Sequence, residues 1–299
     1  MRTIKVIFHV GMPKTATTSI QQTLTENYKS LKDQKVLYPK IYNQQNVMEK
    51  ETINHNVFLI YMMDPDRFYQ KDLRGDSTED CLMLIKNTVE HIREEIEAGD
   101  IETIIFSSEA LYARETEYWV ELLDGLKSFL PYHLDFSCIC YTRSMLSWLD
   151  SAAQQMIKTS SVVNRELIDK LSGNGSLYRE RIKKFEGFFG KENVHLFDFN
   201  ESISGQDGII KGFFKCLSNI TEKQFSDIKE SEVISNESLC VESVSIINFV
   251  NRISPLRVDR KLNAAGGRAL GDWEPFTGLK GTKFRISDDL KAYAAERLS

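Results

Sequence analysis

The stretch "FHVGMPKTATTSIQQTL", residues 8–24, decides how this chain folds. It begins at the end of an apolar run rich in β-branched residues, "IKVIFHV", which reads as a short strand. It ends in a helical pattern that starts at Thr17 and runs to about Tyr28. Between the two lies a loop with one glycine, Gly11, followed by Pro13, Lys14 and the small hydroxyl residues Thr15, Thr17, Thr18 and Ser19. Parallel α/β sheets bind phosphate at such strand-to-helix junctions, because a helix N-terminus offers unpaired N–H groups and a partial positive charge. Lys14 adds a full charge and the hydroxyls add donors. The loop departs from a Walker A loop, G-x-x-x-x-G-K-[ST]. Its lysine comes three residues after Gly11, a second glycine is missing, and Ala16 stands where many related loops have one. The loop is therefore shorter and differently shaped.

The same alternation extends outward. "ETIIFSS", "LDFSCICYT" and "NVHLFDF" read as further strands, each separated from the next by helical patterns. "EDCLMLIKNTVEHIREEIEAG" is a long amphipathic helix ending at Gly99. Residues 30–78 read as polar and irregular, with a helical patch near "HNVFLIYMM". The last third is mostly helical around the glycine-rich loop "NAAGGRALGDWEPFTG". This pattern predicts an α/β fold: one three-layer domain of the P-loop type over residues 1–299, with a central, mostly parallel sheet flanked by helices and a helical C-terminal part.

Composition narrows the function classes. The chain has 299 residues, 41% hydrophobic and 27% charged, which suits a globular protein with a sizeable core. A net charge of −5 provides no global basic field for nucleic acid or anionic membrane, so any bound anion needs a local site. The opening apolar run is far too short to span a bilayer and lacks the pattern of a signal peptide, which predicts a cytoplasmic protein without an integral membrane segment. The five cysteines show no metal spacing; Cys138 and Cys140 alternate on a strand as small core residues in a reducing compartment would. The chain stops in mid-helical pattern at "KAYAAERLS", as a clipped helix would.

The third strand separates two chemistries. A P-loop kinase holds Mg²⁺ through a carboxylate ending a neighbouring strand. Here "CICYTRSMLSWLDSAAQQ" ends its strand in Arg143, and Ser151 follows eight residues later, two helical turns on. A guanidinium is a planar fork of donors suited to phosphate. A cation at this position suggests a second phosphate handled without metal.

Together, "GMPKTATTS" and "RSMLSWLDS" resemble the PAPS-dependent sulfotransferases, and "LYRERIKKFEGFFGKENVHLFDFNE" resembles their bacterial carbohydrate-sulfotransferase branch. The resemblance covers about residues 4–200 well and the remainder loosely. It implies that Gly11, Pro13, Lys14, Thr15, Ala16, Thr17, Thr18 and Ser19 hold the 5′-phosphosulfate of 3′-phosphoadenosine 5′-phosphosulfate (PAPS). It implies that Arg143 and Ser151 hold the 3′-phosphate, that 3′,5′-ADP is the product and that no metal takes part. The late segment "GGRALGDWEPFTG" echoes the family's lid, RKGxxGDWKxxFT, through Gly271, Asp272, Trp273, Phe276 and Thr277. The leading Arg-Lys-Gly is absent and Glu274 replaces the lysine, while Arg268, Lys280 and Lys283 stand nearby to screen a nucleotide.

The implied reaction is sulfuryl transfer to an acceptor hydroxyl, with Lys14 neutralising charge on the leaving phosphate. Two residues are candidates for the base. Glu109 ends the second strand in "IIFSSEALY", where the cytosolic enzymes carry a catalytic histidine; His55 lies in "INHN" after the first helix. The sequence leaves both open, and His9 reads as structural. The expected acceptor is a small molecule or glycan, most simply a carbohydrate or glycolipid hydroxyl. Tyr112, Trp119, Trp148, Tyr178 and Trp273 are aromatic residues that would stack on sugar, although such spacings also suit a core. The alternative reading is a P-loop kinase using ATP, which Mg²⁺ dependence would mark. Oligomeric state is not legible.

Overall fold

Strand β1 (Thr3–Gly11) is buried along nearly its whole length, as expected of a central strand covered on both faces. In chain order there follow α1 (Thr17–Glu26), α2 (Tyr28–Asp33), β2 (Val36–Leu37), α3 (Asn56–Met63), α4 (Thr78–Gly99), β3 (Thr103–Ser107), α5 (Thr116–Phe129) and β4 (His133–Thr142). Then come α6 (Met145–Lys158), α7 (Arg165–Ser172), α8 (Leu177–Phe189), β5 (Val194–Asp198), α9 (Phe199–Ser204), α10 (Gly208–Thr221), α11 (Val241–Ile253), the strands β6 (Arg257–Val258) and β7 (Lys261–Leu262), and α12 (Asp288–Leu298). This computed structural model describes residues 1–50, 52–66, 74–158, 161–173, 177–231, 239–255, 257–258, 261–262, 273–276 and 279–298. The chain forms two compact units, Met1–Thr142 with Arg181–Val233, and Arg143–Glu180 with Ile234–Ser299.

The first unit holds a five-stranded sheet in the order β2-β3-β1-β4-β5. Every pairing is parallel, with His9 opposite Ser107 on β3 and Gly11 opposite Tyr141 on β4. Successive residues of β1 face opposite layers. Ile7 packs in a cluster with Ile20 and Leu24 of α1 and Phe213 and Leu217 of α10. Phe8 meets Trp119 of α5 edge-on at 5.4 Å and lies 5.8 Å from Phe189 of α8. Helices thus cover both faces, and the architecture is the α/β class that the alternation predicts. Chain order runs one way from β1 through β3 to β2 and the other way through β4 to β5. The carboxyl end of β1 is therefore the topological switch point where open α/β sheets bind ligands. One element differs from expectation: β2 lies within the stretch read as irregular, and its two residues are too few to show a period.

The second unit is built around α6, α7, α11 and α12. Asn251 of α11 donates to the carbonyl of Ile157 at the end of α6, 2.8 Å. Residues 282–284 pair with 239–241: Val241 N–H donates to Thr282 O at 2.9 Å and Phe284 N–H to Leu239 O at 3.0 Å. All five cysteines are buried and unpaired, consistent with packing roles. Among the described residues no helix is long and apolar enough to cross a membrane.

Candidate active site

The loop after β1 is shaped by steric and backbone constraints. Met12 N–H donates to Tyr141 O at 2.9 Å, which extends the β1–β4 ladder one residue past Gly11. A Cβ on Gly11 would lie 2.6 Å from Thr15 Oγ1 and 3.0 Å from Thr17 Cγ2, so only a hydrogen fits. The chain then turns through two left-handed residues, Lys14 at φ +71° and Ala16 at φ +58°. Ala16 is the N-cap of α1 and offers no side-chain hydrogen bond. Helices leave their first N–H groups without intrahelical partners, and a serine or aspartate cap would cover one of them. With alanine at the cap no side chain covers the first N–H groups of α1, and Ser19 N–H turns back to Ala16 O at 3.1 Å.

The hydroxyl cluster divides its roles. Thr15 is buried and donates to Met12 O at 2.7 Å, so its hydroxyl holds the loop together. Thr17 Oγ1 donates weakly to Glu109 Oε2 at 3.4 Å. Thr18 and Ser19 are half-buried in the first turn of α1. The exposed Pro13 leads the chain into Lys14.

Lys14 and Glu109 are brought together. Burial holds the lysine's pKa below its ordinary value, and the Glu109 carboxylate pulls it partway back. Glu109 owes its position to the end of β3: Ser108 N–H donates to His9 O at 3.0 Å, and a 3₁₀ turn, Glu109–Leu111, follows. Its side chain is exposed at the mouth of the sheet.

His55 is placed differently. It is 1% exposed, its Nδ1 accepts from Ser107 N–H at 3.0 Å, and its Nε2 lies 2.8 Å from Pro39 O. Both ring nitrogens are committed within the fold, and burial lowers its pKa to about 4. His9, wholly buried, bonds Ser107 Oγ through Nδ1 at 2.7 Å, and burial lowers its pKa to about 3. Gln21 of α1 donates to the same Ser107 hydroxyl at 3.0 Å. This buried polar group fastens α1 to the ends of β1 and β3 behind the loop.

In the second unit, Arg143 and Ser151 meet as their spacing suggests. Arg143 Nη1 donates to Ser151 Oγ at 3.2 Å, and Nε donates to Ser147 Oγ at 3.0 Å. They line a cavity of about 440 Å³ with Asp150, Gln154, Lys283, Arg285 and Lys291. The sequence reading named none of Ser147, Asp150, Gln154, Arg285 and Lys291, which line this cavity. Residues 143, 147, 151 and 154 recur at one face of a helix, and "KFRI" alternates charged and apolar residues; these were the available signals.

The aromatic residues fall mainly in the core. Tyr112, Trp119 and Trp148 are buried, and Trp119 packs against Phe8 and Phe185. Trp273 lies under Lys158, with Nζ 4.3 Å from the ring centre. Tyr178 and most of the lid-like segment, including Arg268, Gly271, Asp272 and Thr277, lie outside the described side chains.

No family model and no curated protein matches the sequence. Solved structures similar in chain trace include a sulfotransferase domain from the curacin biosynthetic pathway (11% identity, 100% of this chain and 98% of that one, TM-score 0.42). A sulfotransferase domain from the Synechococcus PCC 7002 olefin synthase matches at 11% identity over 99% of this chain and 94% of that one, TM-score 0.40. A sulfotransferase from Alicyclobacillus acidocaldarius matches at 16% identity over 90% and 98%, TM-score 0.45. Scores and identities this low do not carry function across, so the case for function rests on the residues of the site.

Proposed function

We propose that the chain is a PAPS-dependent sulfotransferase, with residues 1–299 acting as one catalytic domain on an acceptor hydroxyl. The observation that carries this reading is the lysine-bearing loop at the switch point of the first unit's sheet; the second unit has its own cationic site, Arg143–Ser151, which follows β4 in the sequence. The resemblance gives the 5′-phosphosulfate to this loop and the 3′-phosphate to Arg143 and Ser151. The loop suits the first: Gly11 permits its close turn, and no side chain covers the first N–H groups of α1.

When bound, PAPS supplies the sulfuryl group and leaves as 3′,5′-ADP. Lys14 and the first-turn N–H groups of α1 hold negative charge where it accumulates, and preorganised donors of this kind contribute ~10²–10³ in rate. Glu109, beside Lys14 and open to solvent, accepts the acceptor's proton. We assign the base to Glu109 and a packing role to His55, whose two nitrogens are already committed. The acceptor class we propose, a carbohydrate or glycolipid hydroxyl, rests on the resemblance of residues 177–201 to the carbohydrate branch.

One contact favours the second reading. A loop threonine bonded to a strand-end carboxylate, Thr17 to Glu109, is also how a kinase arranges the ligands of Mg²⁺. Turnover of PAPS over a panel of glycans in EDTA, beside turnover of ATP with Mg²⁺, separates the two. Sulfate transfer that survives EDTA supports the proposal; phosphate transfer that requires Mg²⁺ replaces it.

A further inference from the structure

The start of α3 covers the edge of β3 that β2 leaves open. β2 ends at Leu37, opposite Ile104, three residues before β3 does. His55 takes over from it: its N–H donates to Ser107 O at 3.0 Å, and Ser107 N–H donates to its Nδ1 at 3.0 Å. The next residue, Asn56, meets Ser108, whose hydroxyl donates to Asn56 Oδ1 at 2.6 Å. Asn54 Oδ1 accepts from Asn56 N–H at 3.0 Å, which holds residue 56 at the first position of α3.

Ser108 stands immediately before Glu109. It is wholly buried and is the N-cap of the 3₁₀ turn Glu109–Leu111, yet its hydroxyl caps none of that turn's N–H groups. Serine at a helix cap commonly does so. Here the hydroxyl is committed to Asn56 instead. Ser108 N–H donates to His9 O at 3.0 Å, so the turn that carries Glu109 is held from β1 as well as from α3. Glu109 itself is exposed, and its carboxylate accepts a weak bond from Thr17 Oγ1 at 3.4 Å. Such a side chain is aimed mainly by the backbone beneath it, and a misplacement of about 1 Å costs a reaction on the order of 10² in rate.

We infer that Asn56 is a positioning residue for the proposed transfer: through the Ser108 hydroxyl it fixes the turn that sets Glu109 beside Lys14. The inference rests on the assignment of Glu109 as the base in the sulfotransferase reading. It gives the segment after the first helix a part in the site, although the imidazole of His55 is committed elsewhere.

The test reads the Glu109 charge at Lys14 in the protein without nucleotide. With isotope-labelled lysine, the Lys14 signal, assigned by its loss in Lys14→Arg, is titrated by NMR. The variants are Glu109→Gln, Asn56→Ala, Ser108→Ala and the double variant Asn56→Ala/Ser108→Ala. Glu109→Gln sets the scale, because it removes the carboxylate that raises the Lys14 pKa. Each single variant should lower the Lys14 midpoint by half or more of the Glu109→Gln shift. The double variant should lower it no further than the larger single, since both changes remove the same bond. Phe58→Leu thins the packing of α3 on Phe106, 5.8 Å away, without touching that bond, and should leave the midpoint at its wild-type value. In turnover of PAPS, Asn56→Ala should lower kcat about tenfold or more with KM for PAPS within about twofold. A Lys14 midpoint unchanged in both single variants or in Glu109→Gln, or a shift as large in Phe58→Leu, overturns the inference and leaves the sulfotransferase reading standing. A kcat unchanged in variants that shift Lys14 overturns it as well. A wild type that turns over no PAPS overturns that reading, and the Lys14 midpoints then still decide whether Asn56 sets the place of Glu109.

Discussion

At Ala16 the backbone lies at φ +58°, a conformation that costs an L-residue about 1–2 kcal/mol and a glycine almost nothing. Ala16→Gly should therefore raise the midpoint of denaturant unfolding, by an amount equivalent to roughly 1 kcal/mol, with the loop's ligand contacts unchanged. Gly11 presents the opposite case. A methyl there would press on Thr15 Oγ1, which is tied to Met12 O and cannot yield without breaking that bond. Gly11→Ala should cost about 1–3 kcal/mol of stability and weaken 3′,5′-ADP binding by more than tenfold, measured by denaturation and titration. Lys14 and Glu109 divide the chemistry. Lys14→Ala should lower turnover with every acceptor, while α1 donors retain much of the nucleotide affinity. Glu109→Gln cannot take a proton, so turnover should fall ~10²–10⁴ with 3′,5′-ADP affinity unchanged. His55→Asn is the matched comparison; a large kinetic loss there with Glu109→Gln near wild type would reverse the assignment.

The β1–loop–α1 element was legible because its signals are local: a strand-like run, a glycine, a lysine and a helical pattern follow one another within residues 4–28. Glu109 was legible as a strand end, and Arg143 with Ser151 as one face of a helix. The burial of His55 was not, because its partners Pro39 and Ser107 come from distant segments. Nor was the hydroxyl of Thr15, whose inward bond depends on the left-handed turn at Lys14 and not on residue type. The cavity's later half was hidden for the same reason. Asp150 and Ile286 are 136 positions apart, and nothing in either stretch names the other. At this scale Asp150→Asn is informative. The amide oxygen still accepts from Ile286 N–H, but the charge facing Lys291 is gone; if Asp150 acts through position, the 3′,5′-ADP to 5′-AMP ratio should stay within about threefold of wild type. Asp150→Ala removes the fastening of residue 286 and should lower that ratio.

Across the whole molecule, two buried neutral histidines make stability depend on pH. His9 and His55 titrate near 3 and 4 when folded, against about 6.5 for an exposed imidazole, because burial disfavours their charged forms. Between those values the unfolded chain binds the extra protons. Their contribution is therefore complete above about pH 6.5 and is lost as pH falls, by up to about 1.4 kcal/mol per pH unit for each histidine. Urea unfolding at pH 7, 6 and 5 should show this slope, and His9→Phe should remove one proton's share. The nucleotide we propose carries phosphates at both the 3′ and the 5′ position of its ribose. Calorimetric titration of 3′,5′-ADP against 5′-ADP, in EDTA, tests this claim most directly, since the two ligands match in composition and differ in where the second phosphate sits. Binding of 3′,5′-ADP tighter by tenfold or more, equivalent to about 1.4 kcal/mol, with the preference erased in Arg143→Ala, is the predicted result. Equal affinities, or tighter binding of 5′-ADP, would contradict it.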